Sequence, residues 1–428
     1  MAGGLPDNFS RNISREASME DGGLTRNRGE GHFMLLKYSR AITVVLGIML
    51  IALSCPVYWS RVLLWNFSNV DDYTKFPERV IDNQAPVWNF EQAPDPTRVA
   101  AAFESAVENL PAIKAKSLNG LLNRTKTTSF IVIKGDTILY EWYGNGYSRD
   151  SIVTSFSVAK SIDSALVGIA IDEGLIKSVN TPITDYIPEL RGNGFENVTI
   201  KDLLRMSAGI RYKDWNNVRT YYHPDLRSVA LSVRIIDPPG EYFLYNNYHP
   251  LLIGMILERA AGMPVAEYLE KKIWKPLGME FQASYSIDSI ENGFEKMESG
   301  INGRAIDFAK FGHLFLREGD WNGRDIISRE WVIESTAPPL PADKPGYYDM
   351  GQDKAAFAQR PDLYYKYFWW GYRGAEGDYD YAAVGHLGQL IFISPKNDVV
   401  IVRFGKKSGL PGSLDWTDLF RNMASMLN

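Results

Sequence analysis

The spacing of apolar and polar residues marks out the elements of this chain before any motif is considered. Residues 130–134 (Phe-Ile-Val-Ile-Lys) and 137–142 (Thr-Ile-Leu-Tyr-Glu-Trp) are rich in β-branched and aromatic side chains, and Gly135-Asp136 separates them. That pattern predicts a hairpin closed by a short turn. Residues 389–393 and 399–404 repeat it around Pro395-Lys396-Asn397-Asp398, predicting a second hairpin. Between the two lie helical patterns: 99–103 opens one, and 162–171 forms another that Gly174 stops. Amphipathic spacing over 415–427 closes the chain as a helix. Hairpins near both ends with helices between them predict an α/β (α+β) fold, an antiparallel sheet flanked by helices with a helical subdomain inserted.

One apolar run is longer than a core helix needs. Residues 41–60, between Arg40 and Arg61, are twenty positions without a charge. At about 1.5 Å per residue such a run spans the ~30 Å hydrocarbon core of a bilayer. Tyr58 and Trp59 fall where interfacial aromatic residues gather. Arg11, Arg15, Arg26, Arg28, Lys37 and Arg40 precede the run, whereas the thirty residues after Ser60 hold only Arg61, Lys75 and Arg79. This bias places the amino terminus in the cytoplasm. The expected organisation is a disordered cytoplasmic tail (1–40), a single-pass transmembrane signal anchor (41–60), a connector (61–95) and a globular domain (96–428). A cleaved signal ending near Ala52-Leu53-Ser54, or lipidation at Cys55, is the competing reading. Each puts residues 96–428 outside the cytoplasm, in the periplasm or the extracellular space.

Composition narrows the chemistry. With 45% apolar and 13% aromatic residues the chain can build an ordinary enzyme core. A net charge of −5 without a basic stripe excludes a nucleic-acid partner. The single cysteine, Cys55, allows neither an internal disulfide nor a thiolate metal cluster. His32, His223, His249, His313 and His386 lack the spacing of zinc ligands, so no metal and no cofactor is expected.

The candidate chemistry begins at Ser157-Val158-Ala159-Lys160, at the head of an apolar helical run. The spacing sets a hydroxyl and an amine one helical turn apart on the same side. A serine is a weak nucleophile until a neighbour takes its proton, and a lysine kept neutral by its surroundings can do so. The helix start also offers unpaired N–H groups to developing negative charge. Alone, this four-residue pattern is common. Two later segments give it context: Tyr245-Asn246-Asn247, ahead of an apolar stretch, and Gly385-His386-Leu387-Gly388-Gln389, ahead of a strand.

In this order the three segments resemble the S-x-x-K, Y-x-N and K-T-G (or H-x-G) motifs of the serine β-lactamase and penicillin-recognising superfamily. That superfamily includes class C β-lactamases, D-alanyl-D-alanine carboxypeptidases, related esterases and 6-aminohexanoate-dimer hydrolases. Residues 199–210 are similar to its I-x-x-L-L-x-x-x-S-G stretch, with Ala208 where serine is usual. The resemblance implies a β-lactamase/transpeptidase-like fold and an acyl-enzyme on Ser157. Lys160 and Tyr245 would share the proton traffic, and Asn247 would hold Lys160 or a substrate amide. His386 would replace the third-motif lysine, and Gly388 would let a substrate backbone approach. The N–H groups of Ser157 and Gln389 would form the oxyanion hole. A histidine in place of that lysine lacks a fixed positive charge for a substrate carboxylate. This moves weight from β-lactams and D-Ala-D-Ala termini toward small esters, amides or peptides. Residues 369–379 look especially like the 6-aminohexanoate-dimer hydrolase branch. The expected function is a membrane-anchored, extracytoplasmic serine hydrolase. A β-lactamase or cell-wall carboxypeptidase, or an inactive tethered binding protein of the same fold, are the alternatives.

Overall fold

The computed structural model describes residues 57–65, 67–213, 215–339, 354–412 and 414–427. The chain divides into two compact units, 1–66 and 67–428. In the first, Val57–Trp65 is a helix on which Val57, Trp59, Leu63 and Leu64 are exposed. Among the described residues no helix is long and apolar enough to cross a membrane. The predicted anchor falls mainly on residues 41–56 and the predicted tail on 1–40, both outside the described residues.

The second unit is built on two sheets. Its strands are β1 (Glu78–Ile81), β2 (Glu91–Gln92), β3 (Thr127–Lys134), β4 (Thr137–Tyr143), β5 (Val153–Thr154) and β6 (Ala283–Ser286). They continue with β7 (Ile301–Gly303), β8 (Leu363–Lys366), β9 (Trp369–Arg373), β10 (Tyr379–Gly385), β11 (Gln389–Ser394) and β12 (Val399–Gly405). The eight-stranded sheet runs β2-β4-β3-β12-β11-β10-β9-β8 and the four-stranded one β1-β6-β7-β5. All pairings are antiparallel except β2 with β4.

Both predicted hairpins are present. Gly135 turns the first with φ +58°, a conformation glycine adopts without a Cβ penalty, and Asp398 lies in the same region in the second. The strands β3 and β12 are buried along almost their whole length, which explains their continuous apolar sequence. Successive side chains of a strand face opposite ways. On β12, Arg403 lies over the Trp416 ring of the helix Asp415–Met426, and its neighbour Phe404 packs on Phe308 of the helix Ala305–Leu316. These two helices therefore cover opposite faces of the large sheet. On the second face Gly312 lets the helix approach so closely that a Cβ would stand 2.6 Å from Ile391.

The helical subdomain centres on the helix Val158–Asp172, buried from Val158 to Ala170, which packs against the helix Tyr248–Ala261. The segment read as a connector, 61–95, contributes β1 to the edge of the small sheet and β2 to the edge of the large one. Strands of four and two residues are too short for alternation to reveal.

Candidate active site

The small sheet delivers the nucleophile candidate. Strand β5 ends at Thr154, Ser155 N–H donates to Ile301 O across to β7, and the chain then turns sharply into the helix Val158–Asp172. Phe156 makes that turn with φ +49°, in a region where a bulky side chain is strained. Its ring is wedged edge-on against His386 at 5.4 Å and alongside Tyr221 at 6.5 Å, contacts that hold the turn. Ser157 is half-buried at the helix cap position, where its side chain caps no backbone N–H.

Lys160 follows one turn later, with 1% of its surface exposed. Its Nζ lies 2.8 Å from Ser157 Oγ and donates to Glu298 O at 2.8 Å. Burial disfavours the ammonium and lowers the pKa of Lys160 to about 7, against the raising influence of the Glu298 and Asp163 carboxylates. Glu298 is itself engaged, accepting from Lys296 Nζ at 3.0 Å and from Ser299 Oγ at 2.9 Å. Asp163, fully buried one turn beyond Lys160, accepts from Tyr285 Oη at 3.0 Å, and burial pushes its carboxyl pKa well up.

The second motif sits above this amine. Lys160 Nζ stands 5.2 Å from the centre of the Tyr245 ring, within cation–π range. Tyr245 is also flanked by Trp370 (6.1 Å, stacked) and Tyr365 (5.8 Å, edge-on). The two asparagines divide their work. Asn246 is buried and its Oδ1 accepts from the Tyr248 and His249 N–H groups, capping the helix Tyr248–Ala261. Asn247 Nδ2 faces Asn217 Oδ1 (3.3 Å) and Thr220 Oγ1 (3.4 Å). Its hydrogen bonds thus run to the helix Trp215–Tyr222, not to Lys160.

The third motif is the turn between β10 and β11. Gly385 pairs with Gln389 across it. A Cβ on Gly385 would lie 2.6 Å from Ser155 O and 3.3 Å from Ser157 N, so only glycine lets β10 lie against the nucleophile turn. His386 surfaces at the rim. The protein packed about its ring lowers its pKa from the usual histidine range, with the Asp72 carboxylate pulling the other way, which favours the neutral imidazole. Gly388 has φ +77°, and a Cβ there would fall 2.4 Å from Arg403 Nη1. The Arg403 guanidinium fills the side of Gly388 that a Cβ would occupy. The Gln389 side chain is buried, donating to Gly405 O and accepting from Gly405 N–H, both at 2.8 Å.

A serine with a buried amine at its oxygen, a tyrosine over that amine and a strand turn beside the serine N–H are the parts of an acyl-transfer site. The β-lactamase family pattern matches residues 120–419, well over half of the chain. The chain belongs to the β-lactamase family. Members of that family are serine hydrolases of amide or ester bonds. Among its relatives is the 6-aminohexanoate-dimer hydrolase of Paenarthrobacter ureafaciens, 26% identical over 309 residues covering 68% of this chain and 76% of that protein. A teichoic acid D-alanine hydrolase of Staphylococcus aureus is 28% identical over 134 residues, 31% of this chain and 32% of its own length. Among solved structures, a 6-aminohexanoate-dimer hydrolase homologue from Bacillus anthracis superposes with a TM-score of 0.69 at 22% identity, covering 87% of this chain and 94% of the other. It shows that the fold is shared over most of the chain.

Four residues packed about this β-lactamase-family site were given no role by the sequence reading: the strained Phe156, Gly385 (quoted only as part of the third motif), Glu298 with its carbonyl on Lys160, and Arg403. A charge inside the run Val399-Val400-Ile401-Val402-Arg403-Phe404 is a visible signal, because a buried strand rarely keeps one without a task. Glu298 had no such signal, since it lies 138 residues from Lys160.

Proposed function

We propose that the protein is an extracytoplasmic serine hydrolase that cleaves a small amide or ester through an acyl-enzyme on Ser157. The observation that carries this reading is the Lys160 amine, shut away from water and 2.8 Å from Ser157 Oγ. Neutral Lys160 takes the hydroxyl proton as Oγ bonds to the substrate carbonyl carbon, and the carbonyl oxygen becomes an oxyanion between the Ser157 and Gln389 N–H groups. The tetrahedral centre then expels the amine or alkoxide, which leaves with a proton returned through Lys160 and Tyr245. Water attacks the ester, giving up its proton to the same pair, and the acid departs as Ser157 is reprotonated. In this reading Asn247 and His386 serve as substrate contacts.

An imidazole at His386 in place of a fixed cation, together with the aromatic wall of Tyr245, Trp370 and Tyr365, favours extended acyl groups over those bearing a carboxylate next to the scissile bond. Similarity to a 6-aminohexanoate-dimer hydrolase agrees with that preference. The test is a panel of p-nitrophenyl esters, D-amino-acid amides and short ω-amino-acid oligomers, run beside a labelled penicillin. Turnover of esters or ω-amino-acid oligomers without a stable penicillin adduct is expected. A stoichiometric or rapidly hydrolysed penicillin adduct would assign a β-lactamase or carboxypeptidase, and neither turnover nor adduct a binding protein. Membrane attachment through residues 41–60 belongs to the same proposal, supported by the uncharged run and the exposed apolar side chains on the helix Val57–Trp65 that continues it. The full chain should sediment with membranes and be cut after Ser60 by protease added outside. A soluble full-length chain would refute attachment.

A further inference from the structure

Arg403 is fully buried, in a strand that is otherwise apolar. Burying a guanidinium is costly unless its donors are met. Every donor contact it makes ends on a neutral oxygen. Nε donates to Thr127 Oγ1 at 3.1 Å, and Nη2 to the carbonyls of Thr125 (3.2 Å) and Lys407 (2.8 Å). Nη1 donates to Leu387 O at 3.0 Å and Gly388 O at 2.6 Å. Its plane rests 4.3 Å over Trp416. An arginine supplies five donors in a rigid fork, which no apolar residue and no lysine reproduces.

The two Nη1 acceptors are what give the position meaning. Leu387 and Gly388 are successive residues at positive φ, +62° and +77°. A leucine adopts that region at a cost, and a turn of this kind needs something to fix it. In a trans peptide the C=O and the following N–H point in opposite directions. The Gly388 carbonyl is drawn onto Arg403, so the Gln389 N–H is aimed away from the guanidinium. Gly385, the cross-strand partner of Gln389, ties this peptide to the nucleophile: its Cβ position is 3.1 Å from Gln389 Cβ and 3.3 Å from Ser157 N. We infer that Arg403 is a positioning residue for the oxyanion hole, holding the Leu387 and Gly388 carbonyls inward so that the Gln389 N–H faces the reacting carbonyl beside the Ser157 N–H.

This inference rests on the acyl-enzyme reading of Ser157, and its test separates the two. Arg403→Gln keeps a polar side chain but loses the fork. With p-nitrophenyl acetate its kcat should fall by about a hundredfold, the usual loss for one oxyanion donor, while KM stays within about threefold. Inhibition by phenylboronic acid, which forms a tetrahedral adduct, should weaken by the same factor. Folding by circular dichroism should be kept, and a fluorophosphonate should still reach full stoichiometry on Ser157, only more slowly. Should Arg403→Gln not fold, Arg403→Lys carries the test, with at least a tenfold loss of both kcat and boronate affinity expected from a single ammonium. Wild-type kcat in a folded variant, or a kcat loss with undiminished boronate affinity, overturns the assignment. A wild-type enzyme that the fluorophosphonate does not label at Ser157 refutes the underlying reading and the inference with it.

Discussion

Replacing Lys160 by arginine asks whether a buried amine, and not merely a positive charge, drives the reaction. The native side chain is buried and its pKa is lowered to about 7. At pH 7.5 such an amine is roughly three-quarters neutral, whereas a lysine at its ordinary pKa is neutral in about one molecule per thousand. The fold therefore multiplies the available base by roughly 700 before any geometric gain is counted. In a pH series with p-nitrophenyl acetate, kcat/KM should rise about tenfold per unit below pH 7 and level off above it, since this parameter reports the free enzyme. Lys160→Arg keeps a cation that cannot lose its proton, so activity should fall by on the order of a thousandfold or more and that limb should vanish. Stability gives a second reading with a definite sign. Between about pH 7 and 10.5 the unfolded chain holds a proton on Lys160 that the native state has released, so stability rises with pH in that window. Relative to Lys160→Met the slope is on the order of 1.4 kcal/mol per pH unit, read from urea midpoints. A wild-type limb centred near pH 10, or one that survives in Lys160→Arg, would refute the argument.

Three further outcomes follow from the same geometry. Lys160→Ala and Tyr245→Phe should each lower kcat by about a thousandfold, and the double variant scarcely more, because groups sharing one proton network are not additive; strictly additive losses would reduce Tyr245 to packing. Gly385→Ala drives a Cβ to 2.6 Å from Ser155 O, a backbone atom that cannot rotate away, and should cost at least about tenfold in kcat together with about 1–3 kcal/mol of stability; wild-type activity would mean that β10 does not hold the nucleophile turn. Asn246→Ala uncaps the helix Tyr248–Ala261 and should cost about 1–2 kcal/mol in urea unfolding, with Asn247→Ala costing much less there and more in KM.

Local patterns carried the parts of the fold that are local. The two hairpins were legible because β3, β4, β11 and β12 are long, apolar and bounded by turn residues, and the helix Val158–Asp172 because its apolar run ends near Gly174. Strands β1, β2, β5 and β7 were not, being two to four residues long and held by tertiary pairing alone. At the site the sequence named the side chains but not what sets their properties. The lowered pKa of Lys160 comes from burial, in a pocket that brings Tyr245 and the Glu298 carbonyl to the amine from 85 and 138 positions away in the chain. The paired asparagines show the same limit. Motif matching selects Asn247, and only the geometry reveals that Asn246 caps the helix on which both residues depend.

The central claim is that Ser157 is the attacking atom. Its most direct test is to incubate the purified protein with a fluorophosphonate and locate the adduct by tandem mass spectrometry, with Ser157→Ala as the control. One adduct per chain on Ser157 is predicted in the wild type. None is predicted in Ser157→Ala, whose turnover should also fall below about one part in a hundred. An adduct on another residue, or a Ser157→Ala variant that remains labelled and active, would contradict it.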